Sequence, residues 1–206
     1  EMYDKALEMF TKASELKPND KDYKTNLALC YVKLNEPDKG IKILQEVIRY
    51  NDNFARALYN LGQAYEAKKT YDKAVYYYKR SAQIDTTYSI AYSKIGGIFL
   101  YSLDDYTNAE DYYRKYLAYK PNSASTYVNL GNIYYNQDKY AEAFVLYEKA
   151  SKLDTLYTQP LLYAGQCLSQ QGKYLDAIPY YNKALKIDPK YGEVYIELGR
   201  VNRLQK

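Results

Sequence analysis

A glycine recurs along this chain at a nearly constant interval, in Leu61-Gly62, Ile95-Gly96, Leu130-Gly131, Ala164-Gly165 and Leu198-Gly199. The spacings are 34, 35, 34 and 34 residues. A fixed period of this length marks a repeat architecture, in which each unit buries its apolar face against its neighbours. With the glycine at position 8, complete repeats run 21–54, 55–88, 89–123, 124–157 and 158–191. Residues 1–20 fit the second half of a repeat, and residues 192–206 the first half of another. The third repeat carries one extra residue, which falls in a turn within 102–105.

The remaining columns give the repeat a shape. Position 11 reads Tyr31, Tyr65, Phe99, Tyr134, Leu168, and position 17 reads Tyr3, Pro37, Tyr71, Tyr106, Tyr140, Tyr174. Position 20 reads Ala6, Gly40, Ala74, Ala109, Ala143, Ala177, and position 24 reads Phe10, Leu44, Tyr78, Tyr113, Tyr147, Tyr181. Positions 4, 7, 8 and 11 share one face of a helix, and positions 20, 24 and 27 share one face of a second. Glycine at 8 and alanine at 20 let the two axes approach, and the aromatics fill the space beside them. A mid-helix glycine costs about 1 kcal/mol relative to alanine, so its recurrence points to a close approach that outweighs the cost. Lys-Pro, Asp-Pro or Asp-Thr at positions 31–32 ends the second helix.

These columns resemble the tetratricopeptide repeat (TPR) family over essentially all 206 residues. The resemblance implies an all-α fold, a right-handed α–α superhelical solenoid of antiparallel helix pairs. One helix, five pairs and a final helix make about twelve, in a single array over 1–206. The first full repeat departs from the pattern at Ala28, Pro37, Gly40 and Asp52, and the last half-repeat has Asn202 at position 11. Because the array opens and closes on half-repeats, residues 1–206 are expected to be a trimmed piece of a longer array. The alternative is a natural end covered by dimerisation. On the trimming expectation a leader could also have been removed, which leaves cytoplasm and periplasm both open.

Catalytic and cofactor chemistry finds no residues to carry it. Histidine is absent, which removes histidine bases, histidine ligands and histidine-activated nucleophiles. No GxxxxGK[ST] or GxGxxG run is present. Asp104-Asp105 reads as a solvated turn. Cys30 and Cys167 both fall at position 10, four repeats apart, and read as reduced packing residues. The expectation is therefore no enzyme, no cofactor and no metal. A net charge of +4 spread among mixed charges argues against nucleic acid. No apolar run reaches the roughly 18 residues of a membrane span.

What remains is a binding surface. Thirty tyrosines exceed what the core columns need. Tyr88, Tyr157 and Tyr191, with Phe54, share position 34 and read as staples between repeats. In the TPR family, one side of the first helix lines a concave groove. The resemblance places Asn26, Asn60, Lys94, Asn129 and Tyr163 there at position 6, and Gln63, Asn132 and Gln166 at position 9. Tyr59, Tyr135 and Asn136 join them at positions 5, 12 and 13. Amides carry both donors and acceptors and suit the backbone of an extended peptide. Tyrosine adds contact area at low rotamer cost. The family's clamp for chaperone C-termini needs cations and asparagines at set positions. The first register offers Thr25, Leu29, Asn60, Ile90 and Lys94, and the second offers Tyr59, Gln63, Lys94, Ser125 and Asn129, so the clamp is not expected. The expected function is a scaffold holding an extended segment or helix of a partner protein in the groove. The alternative is a structural solenoid that self-associates through its terminal half-repeats.

Overall fold

The computed structural model describes residues 2–204. Among the described residues it contains twelve α-helices: α1 (Met2–Leu16), α2 (Lys21–Lys33), α3 (Pro37–Tyr50), α4 (Ala55–Ala67), α5 (Tyr71–Ile84), α6 (Ile90–Ser102), α7 (Tyr106–Tyr119), α8 (Ala124–Asn136), α9 (Tyr140–Leu153), α10 (Gln159–Gln170), α11 (Tyr174–Ile187) and α12 (Gly192–Leu204). The all-α fold and the helix count agree with the repeat pattern. The even-numbered helices are the first helices of repeats, and the odd-numbered ones are second helices. A 3-10 turn at Thr86–Tyr88 leads into α6.

The helices form two compact units, residues 1–105 and 106–206. In the first, α2 pairs with α3 and α4 with α5, while α3 also packs on α4, α1 on α2 and α6 on α5. In the second, α8 pairs with α9 and α10 with α11, while α9 also packs on α10, α7 on α8 and α12 on α11. Helices α3, α5, α9 and α11 are thus each held on two sides, by their own partner and by the next repeat.

Glycine at position 8 makes room for the aromatic ring at position 24. A Cβ added to Gly62 would sit 2.5 Å from Cδ1 of Tyr78, and one added to Gly131 would sit 2.5 Å from Cε1 of Tyr147. Gly165 meets the ring of Tyr181 in the same way. These rings are among the largest fully buried side chains, and burying a tyrosine of this size is a main source of stability in each pair. The first full repeat reverses the arrangement. Gly40 stands at position 20, where a Cβ would lie 2.7 Å from the Ala28 carbonyl oxygen and 2.8 Å from Cγ2 of Val32. Leu44, fully buried, takes the place of the tyrosine.

The turn inside each pair is three residues long. In four of them the residue at position 15 has positive φ: Asn35 (62°), Lys69 (57°), Asp138 (59°) and Gly172 (74°). The next residue donates its N–H to the position-11 carbonyl five residues back, as Thr70 N to Tyr65 O at 2.9 Å and Lys139 N to Tyr134 O at 2.9 Å. This is the Schellman closure, which satisfies carbonyls the helix end would otherwise leave open. In the third repeat, which carries the extra residue, α6 begins and ends one position later than α4 and α8 do in theirs. Asp104 there takes φ 52°, and Asp105 N reaches back six residues to Phe99 O at 2.9 Å. The position-11 acceptor is thereby kept. The turn between repeats uses Asp at position 31, as in Asp85, Asp154 and Asp188, whose Oδ1 accepts the N–H two residues on.

Candidate functional site

The two faces made by the first helices are described separately. In the first unit, Asn60 on α4 is only 5% exposed, and Gln63 and Asn26 are half-buried. Tyr59 is half-buried, with its ring centroid 5.3 Å from that of Tyr78 and 5.6 Å from that of Tyr88. Tyr88 thus packs on Tyr59 of its own repeat, and Phe54 lies beneath the Lys21 ammonium at 4.5 Å. Glu66 accepts the hydroxyl of Tyr78. Burial first, and then the Glu66 carboxylate, hold that phenol far above its ordinary titration range. Lys94 on α6 is exposed.

In the second unit, Asn132 on α8 accepts the hydroxyl of Tyr147 at 2.7 Å, so its carbonyl serves the core as well as the face. Tyr163 packs against Tyr147 at 5.2 Å and accepts from Gln159 Nε2 at 2.8 Å. Asn129 is half-buried and Asn136 exposed. Tyr135 stands edge-on to Tyr140 at 5.2 Å. Tyr181 on α11 repeats what Tyr147 does, sharing a hydrogen bond with Ser169 of its first helix at 3.1 Å. Burial pushes that phenol up to about 12.

The structure brings two of the expected residues, Tyr135 and Gln166, into one pocket of about 130 Å³ between α8, α10 and α12. Ser169, Gln170, Tyr174, Glu197, Arg200, Val201 and Leu204 complete its lining. Glu197 is 7% exposed. It accepts from Gln166 Nε2 at 3.2 Å and from Arg200 Nη1 at 3.0 and 3.1 Å. Glu197 and Arg200 occupy positions 6 and 9 of the last half-repeat, so the groove columns already contained them. Their pairing with Gln166, 31 residues earlier, carries no sequence signal. Both cysteines are free and buried, and burial pushes the Cys167 thiol up to about 12. Such a thiol is a packing group, since the thiolate is the reactive form. Among the described residues no cluster of acidic or sulfur ligands could hold a metal, and no helix is long and apolar enough to cross a membrane.

Residues 1–204 match the family described as the tetratricopeptide repeat protein 21 N-terminal ARM repeat. The chain belongs to this tetratricopeptide-repeat family. TPR repeat-containing protein MJ0263 of Methanocaldococcus jannaschii is 38% identical over 84 residues, 35% of this chain and 26% of that protein. The chain therefore spans about a quarter of that relative's length. Among solved structures, the C-terminal part of a TPR repeat-containing protein from Cytophaga hutchinsonii superposes with a TM-score of 0.80 at 23% identity, covering 97% of this chain and 80% of that one. YrrB, described as a TPR protein with an unusual peptide-binding site, superposes with a TM-score of 0.69 at 19% identity, covering 92% and 97%. At these identities the two structures bear on the fold alone. TPR repeats are generally protein–protein interaction modules.

Proposed function

We propose that this chain is a binding scaffold whose first-helix faces hold an extended segment of a partner protein. The pocket of α8, α10 and α12 carries this reading most directly. It gathers Tyr135, Gln166 and Gln170 around a concavity, and amide and hydroxyl groups there can bond a peptide backbone whatever its sequence. Each such bond contributes about 0.5–1.5 kcal/mol net, so several together give a usable affinity. Asn26, Tyr59, Asn60, Gln63 and Lys94 form the corresponding set on the first unit. Asn129, Asn132, Asn136 and Tyr163 extend the set on the second.

A second reading, self-association, is favoured by one observation. A Cβ on Gly199 would meet nothing within 4 Å, whereas three other position-8 glycines face a tyrosine ring. Tyr195 and Ile196 on the same helix are 54% and 64% exposed. Affinity capture from a lysate, with wild type beside a combined Asn129→Ala, Tyr135→Ala, Gln166→Ala variant, separates the readings. The expected result is a protein held by wild type and released by a variant whose helical content and melting are unchanged. Equal retention by both would remove the groove assignment. Capture of the chain by itself, with a mass that rises with concentration, would favour self-association.

A further inference from the structure

The polar groups of the α8–α10–α12 pocket are not evenly matched. Arg200 grips the buried Glu197 carboxylate through one terminal nitrogen alone, with Nη1 spanning both oxygens. The arginine side chain stays 52% exposed. Its Nε–H and Nη2 hydrogens make no hydrogen bond among the described residues. The Tyr135 hydroxyl accepts from Gln170 Nε2 at 3.4 Å and keeps its own proton to donate. The open side of the pocket is therefore rich in donors, and its chief acceptor, Glu197, is already engaged by Gln166 and Arg200. A cationic ligand would meet Arg200 before it met Glu197.

We infer that this pocket binds a carboxylate of the partner segment, with Arg200 as the charged donor and Tyr135 and Gln170 as neutral ones. The inference rests on the groove reading for where a partner lies. Three features fit a carboxylate. A guanidinium presents its N–H groups as a planar fork matched to two oxygens. The buried Glu197 fixes that fork before the ligand arrives, which lowers the ordering entropy of binding. Tyr174 and Leu204 add apolar surface beside these donors, for the carbons that carry the carboxylate to rest on. The volume equals the liquid share of about four waters at roughly 30 Å³ each, enough for a carboxylate and the carbons that carry it. Glu197 acts as a positioning residue, since its oxygens face Arg200 and Gln166.

The test is direct and needs no partner. The arginine Nε–H signals are followed by NMR while N-acetylglutamic acid α-amide is titrated into the whole chain. N-acetylglutamine α-amide is the uncharged control, and N-acetylglycine presents a chain-terminal carboxylate instead of a side-chain one. Arg200, assigned by the signal lost in Arg200→Lys, is expected to shift saturably. Because bonds to charged groups are the stronger kind, the acid should bind at least about tenfold more tightly than the glutamine analogue. The glycine arm shows whether a side chain or a chain end is the better source. Tyr135→Phe keeps the ring and should weaken binding. Equal responses to acid and amide, or shifts shared with Arg49, Arg56, Arg80, Arg114 and Arg203, would overturn the proposal. A specific Arg200 shift alongside an unaffected capture experiment would retire the groove reading and leave the pocket standing. Partner capture that depends on Tyr135 and Gln166 without any Arg200 shift would do the reverse.

Discussion

At position 8 a single hydrogen or methyl group decides how a helix pair closes. Gly165 lies against a tyrosine ring that is itself buried on all sides, so neither can give way. Gly199 has open space where its Cβ would be. The same substitution should therefore have opposite signs at the two sites. Gly165→Ala should lower stability by about 1–3 kcal/mol through overpacking, less the helix propensity it gains. Gly199→Ala should raise stability by about 0.5–1 kcal/mol, since only backbone entropy changes. Urea midpoints of the two variants give the comparison, and a shared sign would show that ring contact is not what selects glycine. This column was legible in the sequence because one contact recurs at Gly62, Gly131 and Gly165 and fixes the residue type there. The groove side chains were legible only in part. The period places Asn60 and Asn132 on the right helices, yet Asn60 is almost buried and Asn132 accepts the Tyr147 hydroxyl. Depth and partnership depend on the neighbouring helices, which a column of residues does not record.

The helices are bounded by backbone bonds more than by side chains. The left-handed residue of the inner turn is asparagine, lysine, aspartate or glycine at Asn35, Lys69, Asp138 and Gly172. No single residue type marks the position, so the repeat columns do not reveal it. What defines it is the pair of N–H groups returning to the last turn of the helix, and any non-proline residue supplies those. The conformation still favours glycine, then asparagine and aspartate, because a Cβ there crowds the backbone. Lys69 is the least suited of the four. Its exposed side chain makes no hydrogen bond, ion pair or ring contact within the described residues. Lys69→Gly is expected to stabilise the α4–α5 pair by about 0.5–1 kcal/mol, the relief of strain exceeding the added freedom of the unfolded chain. Hydrogen exchange of amides in α4 and α5 would register the gain locally. Slower exchange confined to other helices would contradict it. A related closure accommodates the 35-residue repeat, where Asp105 N reaches back six residues to Phe99 O and the turn keeps its length.

Helix pairs filled by a buried position-24 tyrosine recur at Tyr78, Tyr147 and Tyr181, so the pH response of the chain should be a property of the tyrosines together. Burial raises the phenols of Tyr78, Tyr181 and Tyr191, the last two to about 12, and Tyr78 is also raised by the facing Glu66 carboxylate. The folded state prefers these groups neutral more strongly than the unfolded chain does, whose tyrosines ionise near 10. Their contribution to stability is therefore complete below pH 10 and is lost as pH rises from 10 toward about 12. Histidine is absent, so the interval around neutrality has no side chain that titrates at its ordinary value. The expected behaviour is a flat stability through neutral pH, then an alkaline transition in which tyrosinate absorbance and loss of helix rise together. Repeat arrays unfold from their weaker units inward, so that transition should broaden where the two compact units differ in strength. Circular dichroism and tyrosinate absorbance followed on one alkaline titration would decide the matter. Ionisation of the buried tyrosines with helicity intact would show that their hydroxyls reach solvent, and would remove the position-24 ring as the element that couples pH to the fold.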